Sequence, residues 1–569
     1  MGPDPQRSAF PEAAQHAAVN LKRFFAELKR RKVYSVAVAY VVFGAGLIQL
    51  ATSVLPSFDF PVWSTRLVIV AIALGCPVAL VLSWFFDLTR YGIARTPDLN
   101  QIEIGRAPNV SEHSIAVLPF ADLSPARDHD YFSDGIAEEI LTALSKIDDL
   151  RVAARRSSFW FKDRQADLRE VANKLNVAHV LEGSVRREDN RIRVTAELID
   201  ARNGFTIWSD TFEREIHSIF ALQDEITRAI VDKLKLKLAI AAPSQTRNLA
   251  AYDSYLQGLF YSDKSTEEAL RKSLQYFTDA LKKEPRFGRA WTGIAKSWLW
   301  LADAYVAPLE AYSKVREAAL NALKIDKDDA EAHVYLGETK RILDWNMDGA
   351  AREFCRAVAL DPKSTPSNYF SAAFCAALGE RQDALKYLQR TATIDPASLW
   401  VNNAACELYR YFGLYDEAIA AGERALQLDP AFVYGEPLLA ALYRELGRFD
   451  EAIALYEKAQ DITGRGAFGL AITYARMNRP TEARQVLAKA VGSRGSYTPG
   501  DAIAHIHVAL GEHDNAIREL ERACNERSSS VHFIGIAPEF KPLRSDKRFL
   551  SMLKRIGLEP EKVFAAGVP

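Results

Sequence analysis

Hydrophobic and polar positions follow three successive rhythms along the 569-residue chain. The first rhythm is unbroken apolarity. Val33 to Leu55 carries no charge and, as a helix rising about 1.5 Å per residue, would extend about 34 Å. Leu67 to Phe86 is equally uncharged between Arg66 and Asp87 and would extend about 30 Å. Either length crosses a hydrocarbon core of about 30 Å, so the pattern predicts a transmembrane helical hairpin over 33–87. Pro77 is expected to kink the second span, and Tyr34, Trp63, Trp84, Phe85 and Phe86 sit near the ends, where amphipathic rings prefer the interface.

The second rhythm mixes short apolar runs with helical spacing. Ser114–Phe120, Arg151–Ala154 and Val180–Val185 read as strands, and Phe132–Ile147 and Leu168–Leu175 as helices, with Asp134 a candidate cap of the first. Ile192, Val194, Ala196 and Leu198 then alternate with Arg191, Arg193, Thr195 and Glu197, the pattern of a half-solvated antiparallel strand. Asn203-Gly204 suits a hairpin turn before Phe205–Trp208, and Ile219–Leu238 closes a small mixed α/β domain.

The third rhythm is a repeat. Pro362, Pro396 and Pro430 are 34 residues apart, as are Gly379, Gly413 and Gly447, and as are Ala350, Ala384, Ala418 and Ala452. That period predicts paired helices stacked into an all-α superhelix, about eight units over 251–527, with irregular units at both ends. The multidomain reading is therefore a head (1–32), the hairpin (33–87), a linker (88–112), the α/β domain (113–240), a linker (241–250), the array (251–527) and a capping segment (528–569) that covers the exposed end of the array.

Charge adds orientation. Lys22, Arg23, Lys29, Arg30, Arg31 and Lys32 precede the first span, whereas the connector to the second holds only Arg66. The positive-inside rule puts the head and, after two crossings, the soluble domains in the cytoplasm, with the anchor in the inner membrane. Composition excludes other classes. A formal net charge of -1 gives no global field for polyanions, and residues 111–240 hold 19 Lys or Arg against 23 Asp or Glu. The clusters Arg151, Arg155, Arg156 and Arg186, Arg187, Arg191, Arg193 thus read as solvated faces, and no nucleic-acid partner is expected. Five Cys at irregular spacing give neither a disulfide framework nor a zinc pattern, and Cys355, Cys375, Cys406 and Cys524 read as small apolar fillers of repeat helices.

Several stretches resemble known families. The segments FFAELKRRKVYSVAVAYVVFGAGLIQLA and FPVWSTRLVIVAIALGCPVALVLSWFFDLTRYGIART, within about residues 21–96, resemble the two-helix anchor of bacterial membrane proteins that carry TolB-like and tetratricopeptide domains. SIAVLPFADLS, YFSDGIAEEILTALSKI, LRVAARRSSFWFK, HVLEGSVRREDNRIRVTAELIDARNGFTIWSDTFERE and IFALQDEITRAIVDKL resemble the amino-terminal domain of TolB and the related flagellar-assembly-type domain. That resemblance implies a fold used for protein contacts, with no catalytic residue to carry over. GLYDEAIAAGERALQLDP and GRFDEAIALYEKA resemble tetratricopeptide repeats, which implies a groove for protein or peptide partners.

Candidate groove residues lie on the first helix of a repeat, away from its apolar seam. Asn403, Glu407 and Arg410 are spaced to share one face; Arg444 lies 34 residues beyond Arg410 and is expected to stack beside it, next to Glu445. For each the alternative is a merely solvated side chain. No catalytic residue, cofactor or metal site is expected. Gly464 to Gly469 matches G-x-G-x-x-G but follows a helix where a dinucleotide fingerprint needs a strand, and His505 and His507 point apart on their helix. The expected function is a non-enzymatic, membrane-anchored scaffold or signalling adaptor, of unspecified oligomeric state. The alternatives are an envelope or flagellar assembly factor facing the periplasm, and a nucleotide cyclase-related or kinase-related regulator. A fluorescent reporter fused after Pro569 should be bright and alkaline phosphatase fused there inactive; the opposite pair of results overturns the cytoplasmic orientation.

Overall fold

The computed structural model describes residues 86–89 and 92–95 and, with short breaks of which the longest is 235–247, residues 111–567. The chain divides into two units, residues 1–107 and 108–569. The expected spans Val33–Leu55 and Leu67–Phe86 lie outside the described residues except for Phe86, and among the described residues no helix is long and apolar enough to cross a membrane. One correction falls at the edge of the expected hairpin. Phe86 and Asp87 belong to strand β1 (Phe86–Thr89), which pairs antiparallel with β2 (Gly92–Arg95), Leu88 opposite Ile93. Aromatic and β-branched residues here favour an extended pair over a last helical turn.

In the larger unit the sheet runs in the order β5 (Arg151–Val152), β3 (Ser114–Val117), β6 (His179–Glu188), β7 (Arg191–Asp200) and β8 (Phe205–Glu215), with the short β4 (Ala121–Asp122) also on β6. The β3 pairs are parallel and the last three strands form an antiparallel meander. The alternation of β7 does what its sequence demands: Ile192, Val194, Ala196 and Leu198 are fully buried beneath helices α1 (Asp130–Ser145) and α4 (Ile219–Lys233). Helix α3 (Leu168–Leu175) covers the opposite face, following the short α2 (Arg155–Phe159). The turn into β8 is longer than a two-residue hairpin. Asp200 pairs with Phe205, its carboxylate accepts from the Arg202 and Asn203 side chains, and only Gly204 takes a positive φ, of 78°. Asp134 is no cap: α1 begins four residues earlier, and Asp134 lies buried within it, paired with Lys162 at 2.7 Å.

Eight helix pairs follow among the described residues: α5 (Leu249–Ser262) with α6 (Glu267–Lys283), α7 (Gly288–Leu301) with α8 (Pro308–Ile325), α9 (Ala330–Asp344) with α10 (Met347–Leu360), α11 (Thr365–Ala377) with α12 (Arg381–Ile394), α13 (Leu399–Tyr411) with α14 (Tyr415–Leu428), α15 (Gly435–Glu445) with α16 (Phe449–Thr463), α17 (Ala467–Arg476) with α18 (Pro480–Ser493), and α19 (Gly500–Ala509) with α20 (His513–Asn525). The repeated residues have local reasons. Ala350, Ala384, Ala418 and Ala452 are fully buried where the two helices of a pair approach most closely. Gly379, Gly413 and Gly447 take φ of 75°, 70° and 74° at the exit of a first helix, a left-handed conformation costly for other residues. Trp345 and Asn478 adopt the same conformation where the repeat lacks its glycine. Ser364 and Ser398 cap the next first helices by accepting from the backbone N–H groups of Ser367 and Val401.

Successive first helices contact one another, which lines the inner side of the superhelix with them. Two structural facts alter the expected picture of an open array. Helix α1 packs on α5, so the sheet domain shares one apolar core with the first repeats. The chain after Asn525 folds into two 3-10 turns (Ser529–Phe533 and Pro538–Leu543), then α21 (Lys547–Arg555) and α22 (Pro560–Ala566). This segment does more than cover the exposed end. It runs back along the inner face: Phe533 stacks on Tyr411 with ring centroids 5.8 Å apart, and a Cβ at Gly379 would lie 2.7 Å from the Lys562 carbonyl oxygen. The driving force is apolar area, since Val531, Phe540, Leu543, Phe549, Leu553 and Val563 are all essentially inaccessible.

These contacts separate two glycines of identical backbone conformation. Gly447→Ala should cost about 1–2 kcal/mol from the left-handed φ alone. Gly379→Ala should cost about 1 kcal/mol more, because its Cβ also displaces the tail. Urea denaturation of the full chain checks the order; equal losses would mean that the tail contact at Gly379 contributes nothing.

Candidate functional site

The five residues expected to line the groove sit on α13 and α15 as the period requires, but they do not form one open surface. Arg410 and Arg444 do lie side by side, next to Glu445. Their partner is Glu539 from the tail: its Oε1 accepts from Arg410 Nη1 at 2.7 Å and from Arg444 Nη2 at 3.1 Å. Arg410 also pairs with Glu445, and Arg444 Nη1 donates to the Tyr456 hydroxyl at 2.8 Å. Side-chain exposures of 5% for Arg410, 2% for Arg444 and 6% for Glu445 correct the expectation of solvent-facing groove residues. The apolar tail supplies the reason, because it carries a second carboxylate to two buried cations that would otherwise share Glu445.

Electrostatics follow from that burial. Desolvation alone would raise the Glu539 carboxyl, but Arg410, His505 and Arg444 outweigh it and hold the group at about 2. Burial pushes Glu445 above the ordinary carboxylate range, with Arg410 offsetting only part of the shift. His505 is held below its usual value by burial and packs on Phe540 with ring centroids 4.3 Å apart. His507, two residues on, points elsewhere and contacts the Glu512 carboxylate at 2.7 Å.

Asn403 and Glu407 remain half-buried and do not join the cluster. Glu407 accepts a hydrogen bond from the Tyr411 hydroxyl at 3.0 Å and lines a cavity of about 590 Å³ between the inner helices and the tail. Trp300, Tyr369, Phe370, Trp400 and Phe533 form much of its wall. A second cavity of about 230 Å³ adjoins it, shares Trp300, Tyr369, Phe370 and Trp400, and is closed by the sheet domain through Arg155 and Arg156. The site is therefore a cleft built by three parts of the chain: array, tail and sheet domain.

Ion pairs clamp the sheet-domain wall. Arg155 bridges Glu138 of α1, at 2.9 Å, and Asp263 at the end of α5. Arg289 of α7 reaches Glu139 at 2.6 Å, and Ser157 donates to Asp395. Burial raises the Asp395 carboxyl to about 6 despite that hydrogen bond. The Arg156 guanidinium lies 5.7 Å and 5.6 Å from the Trp300 and Trp400 ring centroids. Arg155 and Arg156 are thus interface residues, not part of a solvated face. The aromatic wall was missed in the sequence because Trp300, Tyr369 and Trp400 obey no 34-residue period.

The remaining sequence features find plain places. Gly466 precedes α17, which follows helix α16, so the G-x-G-x-x-G match has no strand before it. Burial pushes the Cys375, Cys406 and Cys524 thiols up to about 12, about 12 and about 11, whereas Cys355 is exposed and fills no core. Among the described residues no group of three or more His, Cys, Asp or Glu is placed to hold a metal ion.

Comparison with known proteins bears on both domains. A family model described as HilA/YgeH-like transcriptional regulator, second domain, matches residues 111–257, and a tetratricopeptide repeat model matches residues 438–465. The first match runs into α5, the helix that packs on α1. A protein of Rhizobium meliloti (strain 1021) named "Putative adenylate cyclase 3" is 50% identical over 125 residues, 22% of this chain. The match spans about a fifth of that relative, 21% of its length. Among solved structures, the array is similar to PilW, a widely conserved type IV pilus biogenesis factor, at 19% identity and a TM-score of 0.30, covering 37% of this chain and 92% of that one. The APC/C hetero-tetramer Cut9-Hcn1 matches at 15% identity and a TM-score of 0.36, covering 53% of each chain. The chain thus joins a HilA/YgeH-like second domain to tetratricopeptide repeats.

The buried cluster sets a pH dependence. Because the folded Glu539 carboxyl sits at about 2, below its ordinary 4.5, its stabilisation is present above pH 4.5 and is lost as pH falls toward 2. Glu539→Gln should cost about 3 kcal/mol at pH 7 by leaving two buried guanidinium groups with one carboxylate. The gap between wild type and variant in chemical denaturation should narrow below pH 4.5; a gap that stays constant to pH 3 would remove Glu539 from the account.

Proposed function

We propose that this chain is a non-catalytic adaptor that captures a segment of a protein partner in the cleft between its repeat array, its tail and its sheet domain. The observation that carries the reading is the aromatic cleft itself, about 590 Å³ beside about 230 Å³. Its volume and apolar lining suit a short peptide segment, and the tail's occupation of the Arg410–Arg444 surface argues against a long helix laid along the whole groove. The sheet domain, which the HilA/YgeH-like second-domain model matches, serves in this reading as one wall of the same site and also presents the exposed Phe205 and Ile207 of β8 as a second contact surface.

We further propose that the uncharged runs before strand β1, within residues 33–85, anchor the chain in the inner membrane as two spans, with the six cations before Val33 keeping the cleft cytoplasmic. Anchoring would raise the effective concentration of membrane-proximal partners. A second reading, a regulatory role beside a separate nucleotide cyclase, is favoured by the 50% identity to the Rhizobium meliloti protein over 125 residues. In that reading the cleft receives a segment of the cyclase system instead of an unrelated partner.

A photo-reactive residue placed at Ala373, in the cleft wall, should give a protein adduct in membranes of the native host. The same residue at Glu457, exposed on a second helix, should give none. Adducts at Glu457 alone, or none at Ala373, would overturn the cleft as the binding site.

A further inference from the structure

We propose that the cleft selects a cationic side chain, a lysine or arginine of the bound peptide, seated between the tryptophan wall and the Glu407 carboxylate; this rests on the peptide-binding reading above. Charge complementarity is the first argument. Three carboxylates line the larger cavity, Asp303, Glu338 and Glu407, against one cation, Arg341. Arg341 is already committed to Glu338 at 2.7 Å, both side chains being almost inaccessible. Asp303 is turned toward the protein, accepting from the Tyr312 hydroxyl at 3.4 Å and the Ser529 N–H at 3.3 Å. Glu407 accepts from the Tyr411 hydroxyl and lies in the field of Arg410 on the same helix, but Arg410 is committed to Glu445 and Glu539, and among the described residues Glu407 makes no ion pair of its own. A ligand ammonium or guanidinium would give Glu407 a direct ion pair in a partly dehydrated site, where such a pair gains more than in bulk water.

The wall supplies the second argument, independent of the first. Trp300 and Trp400 stand 4.6 Å apart at an interplanar angle of 46°, and Arg156 already rests its guanidinium against both rings from the smaller cavity. These rings therefore favour a cation in this fold, as the negative face of an indole does in general. A ligand carboxylate would instead meet Glu407 and Asp303 with no uncommitted cation in the larger cavity.

The probe is a displayed library of random heptapeptides, panned against the full chain purified in detergent. Wild type should enrich lysine or arginine at one position at least tenfold over the input. Glu407→Gln, which keeps the shape and removes the charge, should lose that enrichment at unchanged melting temperature. Enriched peptides that are acidic or uncharged, or basic enrichment indifferent to Glu407→Gln, would overturn the cationic preference while leaving peptide capture standing. No enrichment of any sequence would overturn both.

Discussion

A single carboxylate decides which part of the repeat array is surface and which is core. Glu539 joins Glu445 in balancing the charges of Arg410 and Arg444 in a nearly dry environment, and neither guanidinium could remain there alone, since an unpaired buried charge costs several kcal/mol. The ion cluster does not by itself make the tail favourable. Apolar burial of Phe540, Phe549, Leu553 and their neighbours does that, and the cluster then fixes the register in which the tail lies. Once the register is set, Phe533 reaches Tyr411, Ser529 reaches Arg341, and the space between Trp300 and Phe533 is what remains open.

The other end of the cleft is determined by packing between helices. Gly135 of α1 faces Leu256 of α5 so closely that a Cβ would lie 2.5 Å from its side chain. That approach brings α2 over the start of the array and points Arg155 and Arg156 at it. Sheet domain and repeats therefore share one apolar core beside the site, which gives a physical sense to a family match that crosses from β-sheet into α5.

What could be read in the sequence was whatever repeats locally. The alternation in β7, the 34-residue spacing of Ala350, Ala384 and Ala418, and the exit glycines Gly379, Gly413 and Gly447 each answer to a constraint within one or two elements. The stacking of Arg410 on Arg444 belongs to the same class. Their burial does not, because the partner lies 129 residues from one and 95 from the other, and no pattern spans such a gap. Arg155 failed for the same reason, its partner Asp263 being 108 residues away on another domain. Trp345 escaped because a bulky residue in a left-handed turn breaks the rule that made the glycines legible. Among the candidate site residues, Glu407 alone was placed on the open cleft by helical phase.

Repeat arrays usually behave as springs, each unit answering mainly to its neighbours, so that they bend easily and unravel from their ends. The tail removes that freedom here. By touching Arg341 of α9, Gly379 after α11, Arg410 of α13, Arg444 of α15 and His505 of α19, it ties five units to one strip of chain. Contacts of such long sequence separation raise the entropic cost of reaching the native state and make the array gain or lose its order as a block. During synthesis the inner face of these units stays unfilled until the segment after Asn525 has emerged, so the curvature they finally adopt is set by residues far from them in the chain.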